Sequence, residues 1–295
     1  MVLLSKCSGM IPGFVSGFYS LEECHIDLSR LARYANARVI VSSATSIDID
    51  RRKVILEGDR PPLGYDVLSI NVGITPACRV PGAEKYVTPV KPISSFASKL
   101  EKLIQNYQNG SNTYRIVVVG GGPGGVELAC ALQYRLGTLS KTIGRLFKVS
   151  LVSKGKILST LSSMSRSVIL PLMKERGIDV IECDGGVTRV DADNLSVSDH
   201  SVAFDECLWC TQAGAPGWLR GTGLPVDKDG FLLVNEYLQS DGGPPEVFGA
   251  GDCVTISHDP RPKAGVYAVR AVRNYVSLHA TYLLYYEHKI CNVIL

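Results

Sequence analysis

One short segment constrains this chain more than any other part of it. Residues 116–127 are Ile-Val-Val-Val-Gly-Gly-Gly-Pro-Gly-Gly-Val-Glu. The four β-branched residues predict a buried strand, and residues 126–136 have the pattern of a helix. Between the two, Gly120, Gly122 and Gly125 have the G-x-G-x-x-G spacing. A strand, this spacing and a helix together predict the start of a dinucleotide-binding βαβ unit.

Each glycine of this spacing has a physical reason to be there. Gly120 allows the tight turn, and Gly122 lets the backbone approach a pyrophosphate on the helix N-terminus. Gly125 lets the helix lie close to the strand. Pro123 and Gly124 lie between them and complete the predicted pyrophosphate-binding loop. The alternative is an ordinary glycine-rich turn between a strand and a helix.

Two further positions concern the nicotinamide nucleotide. Glu127, one turn into the helix, is the candidate catalytic residue and could hydrogen-bond the nicotinamide; the alternative is a carboxylate that only stabilises the helix dipole. The next predicted strand, 148–153, ends at Ser153, where NAD-binding proteins have a carboxylate for the ribose 2′-hydroxyl. A serine followed by Lys154 and Lys156 favours the 2′-phosphate of NADPH, unless the lysines are simply solvated.

Composition excludes several classes of protein. A chain of 295 residues with 45% apolar content can bury a full core and suggests two domains. A net charge of +3 with scattered basic residues does not suggest nucleic-acid binding, and nine irregularly spaced cysteines suggest reduced thiols. The first residues lack a signal-peptide pattern and no stretch could span a membrane, which predicts an intracellular protein.

The periodicity of the remaining chain predicts alternating helices and strands, which is typical of α/β folds. Predicted helices are 21–34, 94–107, 126–136 and 164–176. Predicted strands are 39–41, 67–73, 116–119, 148–153, 179–181, 187–190 and 247–252, with hairpins at 44–56 and 195–204 and a linker at 89–92. Cys207 and Cys210 form a C-x-x-C in a predicted strand, where they would point to opposite faces and could not act as a redox pair.

The order of four segments resembles the two-dinucleotide flavoprotein family of pyridine-nucleotide oxidoreductases. The segments are a strand and loop at 65–76, the glycine-rich fingerprint at 120–127, a crossover loop at 208–216 and Val-Phe-Gly-Ala-Gly-Asp at 247–252. The resemblance covers roughly residues 8–270.

Within that family, residues 8–13 and 19–28 look most similar to the type II NADH dehydrogenase-like module, which some organisms fuse to selenide, water dikinase. The resemblance implies an α/β, two-dinucleotide-binding (Rossmann-like) flavoprotein fold. It assigns 1–110 and 241–295 to an incomplete FAD-type domain and 111–240 to an NAD(P)H-binding domain.

The resemblance also implies a flavin site. Asp252, next to Gly251, would bind the ribityl chain of FAD, although such a residue by itself could be only a turn or cap residue. Lys263 and Gly265 would lie at the start of a helix, 262–268, that is aimed at the flavin and stabilises its reduced, negatively charged form.

The activity implied is hydride transfer from NAD(P)H to FAD and then electron transfer to a small-molecule, quinone-like acceptor. Ala213 and Gly214, in the crossover loop, would contact the cofactors. No metal site and no nucleic-acid partner are expected, and a peripheral membrane contact is left open. Two alternatives are a non-catalytic NAD(P)H-binding remnant and a regulatory module related to selenide, water dikinase.

The chain departs from the family pattern at both ends. It reaches Ser8 without the first G-x-G-x-x-G unit of the family, and after Arg270 the usual flavin-proximal glutamine and quinone or membrane region are not evident. We therefore expect an N-terminally truncated flavin domain that binds FAD weakly and has little dye-reducing activity.

Overall fold

Helices and strands alternate along the chain, as the predicted α/β class requires. The computed structural model describes residues 4–6, 8–76, 80–91, 93–198, 200–211, 213–263, 267, 270 and 290–293. The helices are α1 Ile11–Ser16, α2 Leu28–Tyr34, α3 Ala83–Tyr86, α4 Ile93–Asn109, α5 Pro123–Ile143 and α6 Ser163–Glu175, with 3-10 turns at Ser8–Met10, Gly217–Thr222 and Gly251–Cys253. The strands are β1 Leu4–Lys6, β2 His25–Asp27, β3 Ala44–Asp48, β4 Lys53–Leu56, β5 Leu63–Gly64, β6 Val67–Ile70, β7 Thr75–Pro76, β8 Thr88–Pro89, β9 Tyr114–Val119, β10 Phe147–Lys154, β11 Ile178–Cys183, β12 Val187–Val190, β13 Asn194–Val197, β14 His200–Ala203, β15 Glu206–Trp209, β16 Ala213–Gly214, β17 Leu232–Val234, β18 Val247–Gly249, β19 Val254–Ile256 and β20 Ile290–Val293.

The chain divides into two compact units, each formed from two separate segments. The first unit contains 1–35 and 76–213, and the second contains 36–75 and 214–295. These boundaries differ from the predicted domain boundaries, which fall after residues 110 and 240. The first unit includes residues before 111 because the buried residues of α4 belong to the same core as β9 and α5. The assignment of FAD and NAD(P)H to separate domains remains a prediction.

A parallel five-stranded sheet, in the order β11-β10-β9-β15-β8, organises the first unit. Alternation along β9 explains the two cores of this unit, because successive strand residues point to opposite faces. Ile116 and Val118 pack with helices α4, α5 and α6. Val117 and Val119 pack with the antiparallel sheet β12-β13-β14. The sheet is therefore the middle of three layers.

Helix α5 is longer at both ends than the predicted helix. It begins at Pro123, a position where the missing amide of proline costs nothing. It ends before Gly144, whose φ of 72° is the left-handed conformation that stops helices. Leu128, Leu132 and Leu136 lie four residues apart and are fully buried, and they hold the helix on the sheet.

The second unit contains the parallel sheet β18-β6-β20, the antiparallel sheet β3-β4-β5 and the pair β17-β19. Strand β18 pairs with β6, so that Val247 lies beside Leu68 and Gly249 beside Ile70. Strand β18 thus returns to the N-terminal part of the chain. An apolar core of residues from β3, β4, β6, β17 and β18 fills this unit.

Three local predictions are wrong. Residues 39–41 form no strand, and Val39 and Val41 remain 37% and 42% exposed because no neighbouring strand pairs with them. The helix predicted from residue 21 begins only at Leu28, since β2 precedes it and pairs with β1. The first residue of the predicted linker, Pro89, belongs to β8, and a proline is tolerated there because the strand lies at the edge of the sheet.

Candidate functional site

The glycine-rich loop between β9 and α5 has the geometry that its sequence predicts. Gly120 has a φ of 132°, and a Cβ atom there would lie 2.5 Å from the carbonyl oxygen of Cys210. A Cβ atom at Gly125 would lie 1.8 Å from the carbonyl oxygen of Gly120, so only glycine permits this approach of helix to loop. A Cβ atom at Gly122 would meet no atom within 4 Å. Two glycines of the motif therefore shape the backbone, and Gly122 faces open space.

This loop fits a pyrophosphate. Gly122 is the N-cap of α5 and has no side chain to occupy the first amides, and the first turn contains no acidic residue. Pro123 has no amide hydrogen, which leaves the amides of Gly124 and Gly125 as donors at the positive end of the helix dipole. Gly122, Pro123 and Gly124 are exposed. The loop thus offers free backbone donors beside a space that no side chain fills.

Glu127 and Cys210 lie near each other at this end of α5. Glu127 is exposed, whereas Cys210 packs against the core beneath α5. Burial raises the pKa of the Cys210 thiol to about 11; the Lys91 ammonium lowers that pKa slightly and the Glu127 carboxylate raises it. Cys207 is buried in the core on the other face of the sheet. The two cysteines therefore point to opposite faces, as predicted, and do not form a redox pair.

We expect Cys210 to be unreactive in the folded protein. At pH 8 a thiol with a pKa of about 11 is about 0.1% thiolate, and the thiolate is the reactive form. Alkylation by iodoacetamide, followed by peptide mass spectrometry, should modify Cys210 at least about tenfold more slowly than in the urea-unfolded chain, with a rate that increases up to pH 11. Equal rates in the folded and unfolded protein would contradict the buried position.

Ser153 is buried rather than presented to solvent. It is 2% exposed, and its Oγ lies against the backbone of Gly121, 1.9 Å from where a Cβ atom of that glycine would be. The serine therefore contributes to packing between β10 and the glycine-rich loop. Lys154 and Lys156, by contrast, are exposed at the end of the strand.

The predicted flavin residues that the structure describes lie in the second unit. Gly251 and Asp252 form a 3-10 turn directly after β18, where Gly251 has a φ of 77° and lies close to the side chain of Asn71. The Ala250 amide donates to the Ile70 carbonyl, with a distance of 2.9 Å, and this bond fixes the turn on β6. No local pattern in the sequence indicates that Asn71 lies at this turn, because Asn71 comes close to Gly251 only when β18 pairs with β6.

Lys263 is held inside the second unit. Its Nζ donates to the Val254 carbonyl and, at 2.8 Å, to Oγ1 of Thr255, and it lies 4.2 Å from the ring centroid of Phe231. Burial lowers the pKa of this ammonium, and the carboxylate of Asp227 opposes that effect. Gly265 and most of the predicted helix 262–268 lie outside the described residues.

Ala213 and Gly214 form the short strand β16, which pairs with β7. Oγ1 of Thr75, in β7, donates to the carbonyls of Gly214 and Ala215 at 3.4 Å each. Neither a group of side chains suited to a metal ion nor a helix able to cross a membrane occurs among the residues that the structure describes.

Comparison with known proteins identifies the family of this chain. Among curated proteins, the chain is 28% identical to the demethylphylloquinone reductase NdbB of Synechocystis, over 72% of this chain and 52% of that protein. It is also 28% identical to an NADH dehydrogenase-like protein of Mycobacterium tuberculosis, over 81% of this chain and 60% of that protein. The chain therefore spans a little over half the length of these relatives.

Solved structures show the same fold. The structure of NDH2 from Plasmodium falciparum in complex with NADH matches with a TM-score of 0.73 and 21% identity, over 86% of this chain and 58% of that one. The sulfide:quinone oxidoreductase of Aquifex aeolicus matches with a TM-score of 0.74 and 20% identity, over 94% of this chain and 68% of that one. Residues 19–271 match the sequence profile of one family. This chain belongs to the pyridine nucleotide-disulphide oxidoreductase family, whose members use FAD and NAD(P)H.

Proposed function

We propose that this chain is the catalytic part of an NAD(P)H oxidoreductase that passes a hydride from NADPH to FAD and then electrons to a quinone-like acceptor. The exposed glycine-rich loop at the start of α5 carries the proposal, because it offers free amides and an open space to a pyrophosphate. When bound, the two cofactors supply the redox chemistry, so the protein has to bind and orient them.

The described residues have distinct roles in this proposal. Gly122, Gly124 and Gly125 bind the pyrophosphate, and Glu127 accepts a hydrogen bond from the nicotinamide side of the nucleotide. Asp252, placed after β18, accepts hydrogen bonds from the ribityl hydroxyls. We assign no further step to the thiol of Cys210, since its high pKa keeps it protonated.

The acceptor is proposed to be a quinone. Two relatives support this: the Synechocystis protein is a demethylphylloquinone reductase, and an Arabidopsis thaliana relative is an NAD(P)H-ubiquinone oxidoreductase. Because quinones dissolve in membranes, we also propose a peripheral membrane contact. Faster reduction of a water-soluble quinone analogue by the reduced protein than by free reduced flavin at the same concentration would support the assignment.

We expect a preference for NADPH over NADH. Ser153 provides no carboxylate at the end of β10, and Lys154 and Lys156 are exposed beside it. One partly exposed charge contact supplies roughly 1 kcal/mol, so discrimination of about tenfold, or ~1.4 kcal/mol, is the upper range. Calorimetric titration with both nucleotides measures it, and equal affinities or tighter NADH binding would contradict it.

The function as a whole is tested by anaerobic flavin reduction. The protein is purified in excess FAD, its FAD content is measured after gel filtration, and a sample to which FAD has been added back is titrated with NADPH while the visible flavin absorbance is recorded. The expected result is loss of that absorbance at one NADPH per flavin. A protein that binds NADPH but leaves its flavin oxidised would instead be a nucleotide-binding remnant. The FAD content after gel filtration also measures the predicted weak FAD binding.

A further inference from the structure

A charged pair lies where a nucleotide ribose would be recognised. In the parallel register of β10 and β11, Ser153 is the partner of Glu182. Parallel register partners point to the same face, so the Glu182 side chain lies on the helix-covered side of the sheet, beside the end of β10. The carboxylate that is absent from position 153 therefore occurs one strand further along.

Glu182 does not stand there as a free carboxylate. Nη2 of Arg166, on α6, lies 2.8 Å from Oε1 and 2.6 Å from Oε2 of Glu182. The amide of Ile157 also donates to Oε1, at 2.7 Å. The hydrogen bond from Arg166 is the main reason that the pKa of Glu182 lies below its usual value. Each oxygen already accepts a charged donor, and a ribose hydroxyl would have to compete with it.

Glu182 is also one of the groups that hold the loop that follows β10. The Leu158 amide donates to the Gly121 carbonyl at 2.7 Å, and the Gly155 amide donates to the Cys183 carbonyl at 2.8 Å. With the Ile157–Glu182 bond, these contacts join the loop to both the glycine-rich turn and β11. The exposed Lys156 is thereby held beside Glu182, whereas the stem of Lys154 lies near Gly186 on the other face of the sheet.

The Arg166 side chain is also partly accessible to solvent. The side chains of Arg166 and Glu182 are each 27% exposed, so solvent or a ligand reaches both. Nε of Arg166 is buried, so a ligand could reach this guanidinium only at its terminal nitrogens. Arginine is the side chain best suited to a phosphate, because its fork of donors matches two phosphate oxygens.

We propose that the Arg166–Glu182 pair determines nucleotide selectivity: Arg166 neutralises the carboxylate that the register of β10 and β11 places beside Ser153, so that the positive charge of Lys156 acts on a 2′-phosphate. This inference rests on the proposed nucleotide site. It predicts that two charge-removing variants change selectivity in opposite directions.

The test is the ratio of the NADH and NADPH dissociation constants, measured by calorimetry. Glu182→Gln keeps an acceptor for the Ile157 amide but removes the negative charge, and it should shift the ratio about fivefold toward NADPH. Arg166→Gln leaves Glu182 charged and unpaired, and it should shift the ratio about tenfold toward NADH. Arg166→Lys should restore most of the preference of the parent protein. Both shifts should shrink as salt is raised, because they are electrostatic.

A matched control lies at the other end of the same strands. Asp179 of β11 pairs with Lys148 of β10, with 3.1 Å between Oδ2 and Nζ. Asp179→Asn removes a carboxylate from β11 far from the glycine-rich loop and should leave the ratio unchanged. Circular dichroism shows whether each variant is folded, and Glu182→Gln compared with Asp179→Asn still decides the question if Arg166→Gln is not.

The outcomes separate the inference from the proposed function. If the parent protein binds neither nucleotide, the proposed nucleotide site fails. If it binds them but Glu182→Gln and Arg166→Gln leave the ratio unchanged, or change it as Asp179→Asn does, the inference is overturned and the proposed function stands.

Discussion

Gly122→Val is expected to abolish the binding of NADPH and NADH while leaving the protein folded. A Cβ atom at this position meets no protein atom within 4 Å, and the φ of −74° suits valine. The added methyl groups therefore cost the fold little, about 1 kcal/mol or less. They fill the space that a pyrophosphate needs in order to reach the amides of Gly124 and Gly125.

Calorimetric titration of the variant should show no heat of nucleotide binding, which means a loss of at least about a hundredfold in affinity, or ~2.7 kcal/mol. Gly137→Ala is the matched control, since it replaces a glycine of the same helix with a Cβ atom that makes only an ordinary contact, 3.8 Å from Phe147. Unchanged nucleotide affinity in a folded Gly122→Val protein would remove the basis of the nucleotide assignment.

Gly125→Ala is expected to destabilise the protein strongly. Its Cβ atom would lie 1.8 Å from the carbonyl oxygen of Gly120, which is a backbone atom and cannot rotate away. Gly125 is buried, so the start of α5 has to move off the sheet. Overpacking of this kind costs about 3 kcal/mol. Urea unfolding followed by circular dichroism measures the free energy of unfolding directly.

The adjacent glycine supplies the control. A Cβ atom at Gly124 would lie 3.7 Å from Sγ of Cys210, an ordinary van der Waals contact. Gly124→Ala should therefore keep a free energy of unfolding within about 1 kcal/mol of the parent value. If both alanine variants unfold at the same urea concentration, the close approach of α5 to the glycine-rich loop is not what requires a glycine.

The sequence predicted well the parts of the fold that depend on local patterns. The alternation in β9 and the leucines of α5 repeat at the periods of a strand and a helix, and both elements lie where those periods place them. The strand predicted at 39–41 is not formed, because three β-branched or apolar residues make a strand only if another strand is available to pair with them.

The candidate site likewise contains residues that a local motif predicts and residues that only the folded structure brings together. The roles of Gly120 and Gly125 follow from the motif itself, because the spacing alone prescribes a turn and a close approach. Glu182 and Arg166 could not be found like this. Each is an ordinary charged residue in its local context, and their meeting depends on the register of β10 with β11 and on where α6 lies. The only indication of this pair in the sequence is that the strand that follows Ser153 contains a carboxylate, Glu182.

The two outer strands of the five-stranded sheet bear on the solubility of the protein. An outer strand exposes unpaired backbone groups that can recruit a strand from another molecule, which is a common start of aggregation. At one edge, β8 is only two residues long and includes Pro89, which has no amide to donate. At the other, β11 carries Asp179 and Glu182, each held by a cation from a neighbouring element. A short strand with a proline at one edge and charged residues at the other are features that disfavour edge-to-edge pairing with the sheet of another molecule.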